Sequence, residues 1–339
     1  MKKILTVTIP SYNVERFLEQ TLESFIDEQI MEDIEVLVVD DGSRDRTARI
    51  GKKFAEAYPN TFRVISKENG GHGSTINRGI AEASGRYFKV VDGDDWVSTD
   101  GLRELVVSLK ACKADYVFTN YYEVDDVTKE KRAVSFQGIP EGQEFSFDKI
   151  AKTAEIPMHA LVIRTELLRE NGVRLDEHSF YVDIEYILYP VPYVESVVYY
   201  DIFVYMYRLA QTEQSVSMKG YQKHMKDHLN VIFHTLDYID TYRTKKRADK
   251  QKLFYMEKRI ARMVSTQASI FTSFPLRQKG IRRQFKEFDC MIKGKNQRVY
   301  LMSENYSGML RLLRRTGFHM YAFIVMLSRL WNAWKDGRK

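Results

Sequence analysis

Three carboxylates in a short stretch are the first sign of chemistry in this sequence. Asp92, Asp94 and Asp95 lie within four residues, directly after the mainly apolar run Tyr87–Val91. Hard cations such as Mg²⁺ or Mn²⁺ take oxygen ligands of this kind and keep positions free for phosphate. A cation held here could neutralise a departing diphosphate, whereas the alternative interpretation is a solvated acidic turn.

Two further segments could contact a nucleotide. Tyr12 and Asp41 follow the first two apolar runs, where a ring could stack on a base and a carboxylate could accept an imide N–H. The alternative is a turn tyrosine and an Asx turn. The loop 69–73, followed by Ser74 at a predicted helix start, could lay backbone N–H groups against a phosphate. It is not a dinucleotide fingerprint, because G-x-G-x-x-G does not occur there.

Alternating apolar patterns predict the elements that position these residues. β-branched runs indicate strands, and apolar residues at helical spacing indicate helices. This alternation builds a parallel sheet with helices on both faces, and ligands bind beyond the carboxyl ends of such strands. The predicted order is a strand ending at Ile9, a helix across 14–26, a strand at 35–39, a helix at about 46–57, a strand at 62–65, a helix at about 74–83 and a strand at 87–91.

Composition excludes several classes of protein. The 339 residues are 44% hydrophobic and 29% charged, which suits one large or two smaller globular units. Cys112 and Cys290 form no C-x-x-C pair, so we expect neither a metal knuckle nor a redox pair, and a reducing cytoplasmic location fits best. The first run resembles the start of a signal peptide but lacks a cleavage site. The apolar run Met320–Leu327 is far shorter than the roughly 20 residues of a transmembrane helix, and none is predicted.

Charge divides the chain into two regions. Residues 1–218 carry 25 Lys+Arg and 37 Asp+Glu, whereas residues 219–339 carry 27 and 9. We therefore predict two functional regions, residues 1–218 and a basic helical C-terminal region at 219–339. A strongly basic region usually faces an anionic partner, either nucleic acid or phospholipid. The alternative is a set of solvated helix faces.

The end of the basic region favours a membrane surface over nucleic acid. From Met309 onward, an apolar stripe that includes Trp331 and Trp334 is interspersed with Arg and Lys. This combination is typical of a helix lying in a membrane interface. The alternative is a helix that packs on the first region, 1–218, or in a homo-oligomer. Nucleic acid is disfavoured because no recognised binding module accompanies the charge.

Taken together, the motifs resemble those of the inverting glycosyltransferases of family 2, which have the GT-A fold. The resemblance is close over about the first 100 residues and looser up to about residue 218. It implies a GT-A catalytic domain at 1–218, with an α/β fold in which a mostly parallel sheet is flanked by helices. The matching segments are 7–13, 38–45, 69–73 with Asn77 and Gly79, 85–87, and 92–96.

The resemblance also assigns roles. Tyr12 and Asp41 would hold the base, usually uracil, and Asp92 and Asp94 would contact the ribose and the metal, with Asp95 as the main ligand of Mn²⁺ or Mg²⁺. Arg208 and the serines after it resemble a loop that closes over the donor diphosphate. The full implied set for the donor is Pro10, Tyr12, Asn13, Asp41, Gly71, Asn77, Asp92, Asp94, Arg208, Ser215 and Ser217, with Asp94 and Asp95 for the metal and Trp96 and His159 for the sugar or acceptor pocket.

In this family the catalytic base lies in an acidic pair before a helix. The segment 181–185 occupies that place, with Val182 where Glu is frequent, so Asp183 inherits the role. A carboxylate there would take the proton of the acceptor hydroxyl as the new bond forms. Glu185, Asp176 and Glu177 are the alternative bases. Three histidines fall near this region, and each could be a hydrogen-bonded pocket residue: His72, His159 and His178.

The function expected from these features is transfer of a sugar, with inversion, from a UDP-sugar to a hydroxyl of a growing polysaccharide, glycolipid or glycoprotein. The location expected is the cytoplasm, peripheral to the inner face of the membrane. A nucleotidyltransferase that makes sugar nucleotides is one alternative, but such enzymes place a Gly-rich basic loop where this chain has the segment 10–13. A non-catalytic scaffold that binds lipid or sugar is the other.

Overall fold

The structure is a computed structural model and describes residues 3–209 and 217–327. The chain forms two compact units, Met1–Gln211 and Thr212–Lys339. The first unit contains the sheet and the second contains only helices in its described part.

The first unit is built around a ten-stranded sheet. Its strands are β1 (Leu5–Ser11), β2 (Ile34–Asp40), β3 (Phe62–Ser66), β4 (Tyr87–Val90), β5 (Trp96–Val97), β6 (Tyr116–Asp125), β7 (Lys131–Val134), β8 (Glu144–Ser146), β9 (Leu161–Arg164) and β10 (Ser196–Leu209). Its α-helices are α1 (Leu18–Glu23), α2 (Thr47–Ala57), α3 (His72–Glu82), α4 (Thr99–Ala111), α5 (Thr165–Glu170) and α6 (Asp183–Leu188).

Strand order explains where polar groups gather. The main path of the sheet is β3-β2-β1-β4-β9-β6-β10-β5, with β7 beside β6 and β8 beside β10. The first four strands of this path run parallel, as do β6 and β10, whereas β9 and β5 are antiparallel to their neighbours. β1 is buried along its whole length because helices cover both faces of a parallel sheet. The carboxyl ends of β1, β2, β3 and β4 therefore share one edge.

The alternation predicted for the first 91 residues is confirmed. β2, β3, β4 and α2 begin and end within one residue of the expected positions, and β1 ends two residues later than expected. α1 is shorter than its apolar pattern, because residues 15–17 form a turn before it. α3 begins at His72, two residues earlier than expected, and it follows Gly71, whose φ of +83° favours glycine.

The second unit contains α7 to α12 and a further helical stretch at 321–327. The single helix expected from Met309 onward is interrupted, because residues 316–320 form a turn in which Gly317 and Phe318 have positive φ. Trp331 and Trp334 lie outside the described residues. The helices are α7 (Met218–Lys223), α8 (Met225–Arg243), α9 (Lys250–Ser273), α10 (Ile281–Lys295), α11 (Gln297–Ser303) and α12 (Gly308–Arg315).

Within residues 3–209 and 217–327, every helix falls short of the length or the apolar character needed to cross a bilayer.

Candidate active site

The residues predicted to bind a nucleotide lie where β1, β2 and β4 end. Ser11 at the end of β1 pairs with Asp40 at the end of β2. The Asp41 N–H donates to the Ser11 carbonyl over 2.8 Å. Asp92 comes two residues after β4, which pairs with β1 on its other side. Parallel pairing thus brings the end of each strand to the same cleft.

Asp41 is held by the loop that follows β3. Its carboxylate accepts hydrogen bonds from the Lys67 ammonium at 2.7 Å and from the N–H groups of Gly70 and Gly71 at 2.9 and 2.8 Å. Only 3% of the Asp41 side chain is exposed. Asp41 therefore shapes the loop predicted to bind phosphate. A base that contacted Asp41 at Oδ2 would share that oxygen with the Gly71 N–H.

The turn after β1 is fastened to both neighbouring turns. Asn13 adopts a φ of +54°, and its Oδ1 accepts the Arg44 N–H at 2.8 Å. The Pro10 carbonyl accepts the Gly93 N–H at 3.2 Å. Tyr12 between them is 48% exposed, so its ring has an open face. This arrangement leaves the Tyr12 ring available for stacking on a base.

The acidic loop after β4 is anchored to β10 through Asp95. Asp95 is 1% exposed; its Oδ2 accepts the Tyr205 hydroxyl at 2.6 Å, and its Oδ1 accepts the Arg208 backbone N–H at 2.7 Å. The Oδ1 of Asp92, in contrast, is buried without a hydrogen-bond partner. A metal bound by Asp95, as predicted, would share its oxygens with these two donors.

Burial and like charge dominate the electrostatics of this loop. Burial raises the pKa of Asp92, and the charges of Asp94 and Asp183 raise it further. Burial also raises the pKa of Asp95, again reinforced by the neighbouring carboxylates. The pKa of Asp94 is raised by burial as well, although the Arg208 charge opposes this effect. The negative charge of the carboxylates in this loop is therefore only partly balanced by positive charge nearby.

Arg208 is buried against the acidic loop. Its side chain is 4% exposed, and its Nε donates to the Asp94 carbonyl at 2.6 Å. Its Nη1 donates to Asp126 at 2.6 Å and its Nη2 to Gln20 at 2.8 Å. The guanidinium also lies 4.5 Å from the centre of the Trp96 ring. The contact predicted between Arg208 and a diphosphate would require the guanidinium to leave these partners. Trp96 itself packs on Arg208.

His159 enters the site on a short 3₁₀ turn before β9. Its ring stacks on Tyr207 with centroids 4.1 Å apart and meets Tyr205 edge-on at 4.8 Å. Lys89, which is fully buried in β4, donates its ammonium to the His159 carbonyl at 2.7 Å. Burial lowers the pKa of His159 to about 3, and the charge of Lys89 contributes to that shift. The imidazole is therefore neutral.

These side chains fit a divalent cation. One ligand atom each from Asp92, Asp95 and His159 lie within 4.8 Å of one another. Neutral imidazole and carboxylate oxygen are ligands that Mn²⁺ accepts, and the unpartnered Asp92 oxygen is one that a cation would satisfy. The predicted ligand Asp94 lies outside this particular group of three, although it belongs to the same loop.

Asn77 ties α3 to the segment before Asp183. Its Nδ2 donates to the Leu175 carbonyl and its Oδ1 accepts the Leu175 N–H, both at 2.9 Å. A Cβ on Gly73 would lie 2.0 Å from the Asp176 carbonyl oxygen, so the segment approaches the helix as closely as glycine permits. The donor contact predicted for Asn77 would add to these bonds. Asn77 positions the segment that leads to Asp183.

The alternative bases differ in accessibility. Asp183 is exposed at the first residue of α6. Glu185 is fully buried, its Oε2 accepts the Asp176 N–H at 2.7 Å, and burial raises its pKa to about 7. Glu177 is paired with Arg174 at 2.9 Å. Asp183 and Glu177 are therefore exposed, whereas Glu185 is buried.

Of the two serines predicted to contact the donor, only Ser217 lies within the described residues. Ser215 lies outside the described residues. Ser217 is the N-cap of α7, and its Oγ accepts the Gly220 N–H at 3.1 Å. This bond is a typical helix cap, so Ser217 has a structural role in this conformation.

Sequence reasoning missed three residues of the site. Lys67 pairs with Asp41, Tyr205 donates to Asp95, and Lys89 supports His159. Lys89 could have been noticed, because it is the one charge inside the apolar run 87–91. Tyr205 shares a face of β10 with Tyr207, which periodicity could have indicated. Lys67 carried no distinguishing signal.

Comparison with known proteins identifies a family. Residues 6–172 match the model described as glycosyl transferase family 2. Glycosyltransferase GlyG of Streptococcus pneumoniae serotype 4 is 30% identical over an alignment of 206 residues that covers 54% of this chain and 66% of GlyG. Minor teichoic acid biosynthesis protein GgaB of Bacillus subtilis is 42% identical over 94 residues, which are 27% of this chain and 10% of GgaB. The chain thus spans about two thirds of GlyG and a tenth of GgaB.

Solved structures agree with the sheet topology. S. aureus TarS 1-349 in complex with UDP-GlcNAc superposes with a TM-score of 0.63 at 18% identity, over 96% of this chain and 92% of that one. Mannosyltransferase PcManGT of Pyrobaculum calidifontis, in complex with GDP-Man and Mn²⁺, gives 0.51 at 14%, over 98% and 88%. At these identities the structures establish a shared fold. From the matched family model, the relatives and this fold, the chain belongs to glycosyltransferase family 2 and has the GT-A fold.

Proposed function

We propose that this protein transfers a sugar from a UDP-sugar to an acceptor hydroxyl, with inversion at the anomeric carbon. The observation that carries the proposal is the convergence of Asp183 with the acidic loop. Burial and the charge of Asp94 raise the pKa of Asp92, and the charge of Asp183 adds to that shift, so Asp183 at the start of α6 lies near the acidic loop. A leaving group at the acidic loop and a base opposite it are what in-line displacement requires.

A divalent cation, Mn²⁺ or Mg²⁺, belongs to this proposal. Asp92, Asp94 and Asp95 would hold it, with the His159 nitrogen within reach of the first and last of these. When bound, the cation supplies the positive charge that a departing diphosphate needs. The chain's own contribution is to preorganise the oxygens, since Tyr205 and the Arg208 N–H fix the orientation of Asp95.

Asp183 is the proposed general base. An exposed carboxylate can accept a hydroxyl proton and pass it to water, and general-base catalysis contributes about 10²- to 10⁴-fold. Glu185 instead fixes the preceding segment, because its Oε2 holds the Asp176 N–H. In this proposal Asp183 therefore accepts the proton, and Glu185 positions the segment that precedes Asp183.

UDP is the proposed nucleotide. Tyr12 offers an exposed ring and Asp41 a carboxylate at the same strand ends, and TarS, which shares the fold, was crystallised with UDP-GlcNAc. PcManGT was crystallised with GDP-Man, so guanine is the alternative that must be tested. The name of GgaB favours a cell-wall polymer as acceptor over a glycolipid or a glycoprotein.

The decisive experiment is a screen of UDP- and GDP-sugars with Mn²⁺ or Mg²⁺, in which release of nucleoside diphosphate is measured. We expect one UDP-sugar to be turned over and the chelated protein to be inactive. The anomeric configuration of the product, determined by NMR, tests inversion. Turnover of GDP-sugars alone would contradict the choice of base, and retention of configuration would contradict the mechanism.

We further propose that the basic C-terminal unit contacts an anionic membrane surface from the cytoplasmic side. Phe323, Met326 and Leu327 are exposed on one face of the helical stretch 321–327, whereas Ile324 is buried on the other. Residues 219–339 carry 27 Lys+Arg against 9 Asp+Glu. Apolar burial together with roughly 1 kcal/mol per basic residue near the surface gives reversible binding.

Vesicle sedimentation tests this second proposal. Binding to phosphatidylserine vesicles should fall with rising salt and should fall further in Phe323→Ser. Ile324→Val, on the buried face of the same stretch, is the matched control and should bind as wild type does. Equal binding to neutral and anionic vesicles would contradict the electrostatic part. If wild type does not bind vesicles and instead forms a homo-oligomer that dissociates in Phe323→Ser, the exposed face is an oligomer interface.

A further inference from the structure

His72 is a polar side chain in the cleft that the proposed mechanism does not use. It is the first residue of α3, and its side chain is one third exposed. Its Nε2 lies 3.7 Å from Asp92 Oδ1, the buried oxygen that lacks a hydrogen-bond partner. This distance is longer than a hydrogen bond. The ring therefore lies beside the acidic loop without being bound to it.

Carboxylates from three elements surround His72. Burial lowers the pKa of His72, and the charges of Asp183 on α6, Asp94 in the acidic loop and Asp41 after β2 oppose that shift. An imidazole ring has two nitrogens, of which one always carries a proton to donate and the other can accept a hydrogen bond when it carries none. A group of this kind can bond a hydroxyl in either direction.

The backbone on both sides of His72 is fixed. A Cβ on Gly73 would lie 2.0 Å from the Asp176 carbonyl oxygen, and one on Gly71 would lie 3.2 Å from the backbone of His178. The segment 175–178 therefore clamps the start of α3. Because the clamp leaves the Cα of His72 little freedom, the ring is presented to the cleft in a preorganised position.

This inference rests on the proposed reaction, because it concerns where His72 lies relative to the leaving group and the base. The anomeric carbon must lie between the leaving diphosphate, at the acidic loop, and the acceptor hydroxyl, at Asp183. A side chain that lies close to both groups is beside the sugar that is transferred. We propose that His72 hydrogen-bonds a hydroxyl of the transferred sugar and thereby determines which nucleotide sugar is used.

Kinetics on epimeric donors tests the inference. UDP-glucose with UDP-galactose, and UDP-GlcNAc with UDP-GalNAc, differ only in the configuration of one hydroxyl. In His72→Ala we expect kcat/KM for the preferred donor to fall roughly tenfold, because one hydrogen bond is lost, and the preference within an epimer pair to shrink. His72→Gln keeps a donor and an acceptor and should recover part of both. Affinity for UDP alone, measured by calorimetry, should stay within about twofold.

The control is Arg78→Ala, on the exposed face of the same helix. It should leave the epimer preference and UDP affinity unchanged. A parallel loss of UDP affinity in His72→Ala, or a uniform loss of rate with the epimer preference intact, would overturn the inference, because both indicate a merely structural role. If wild type turns over no donor, the proposed function fails. The inference then stands or falls on calorimetry, since His72→Ala should weaken binding of the intact nucleotide sugar but not of UDP.

Discussion

The buried lysine below the site leads to a quantitative prediction. Lys89 is fully buried in β4, donates to the His159 and Leu161 carbonyls, and lies 5.4 Å from the centre of the Tyr205 ring. Burial lowers its pKa from 10.5 to about 7. The unfolded chain therefore binds more protons than the folded chain between pH 7 and pH 10.5, so the free energy of unfolding should rise with pH in that range.

The size of the effect follows from the shift. Each pKa unit is worth about 1.4 kcal/mol, and the folded lysine loses its proton near pH 7. Between pH 6 and pH 9 the free energy of unfolding of wild type should therefore rise by about 2 to 3 kcal/mol relative to Lys89→Met. The assay is urea denaturation of both proteins at pH 6, 7, 8 and 9, followed by far-ultraviolet circular dichroism.

Lys52→Met is the matched control, because Lys52 is exposed on α2. Its free energy of unfolding should follow that of wild type across the same pH range. If the difference between wild type and Lys89→Met stays constant from pH 6 to pH 9, the reasoning is refuted, since a lysine with its ordinary pKa gives no such trend. A fall in that difference with pH would reverse the sign and refute it as well.

The remaining predictions concern catalysis and packing. Asp183→Asn should keep UDP affinity but lower kcat by about 10²- to 10⁴-fold; a kcat near that of wild type would move the base elsewhere. EDTA should abolish turnover and added Mn²⁺ or Mg²⁺ should restore it, and full activity in EDTA would contradict the cation site. Gly73→Ala should lower the free energy of unfolding by about 1 to 3 kcal/mol through its clash with Asp176. Gly294→Ala, whose Cβ would meet nothing within 4 Å in α10, should raise it by about 0.4 to 1 kcal/mol. Equal effects of the two glycine substitutions would contradict the packing argument.

Local patterns determined the framework of the first unit. The β-branched run 35–39 and the helical spacing before and after it are consequences of backbone propensity and of burial on one face or two. Parallel pairing follows from that alternation, and it brings Tyr12, Asp41 and Asp92 to one edge without any knowledge of their contacts. The motifs between the elements then indicated a nucleotide and a cation.

Tertiary structure alone decided which atoms face the cleft. The Tyr205 hydroxyl reaches Asp95 across 110 residues, and Arg208 reaches Gln20 across 188. Such contacts depend on strand order, because β10 lies beside β6 and β5 only in the assembled sheet. The burial of Lys89 has the same origin. Neighbouring elements exclude water from the Lys89 amine, and this desolvation lowers its pKa. The local sequence pattern does not indicate such burial.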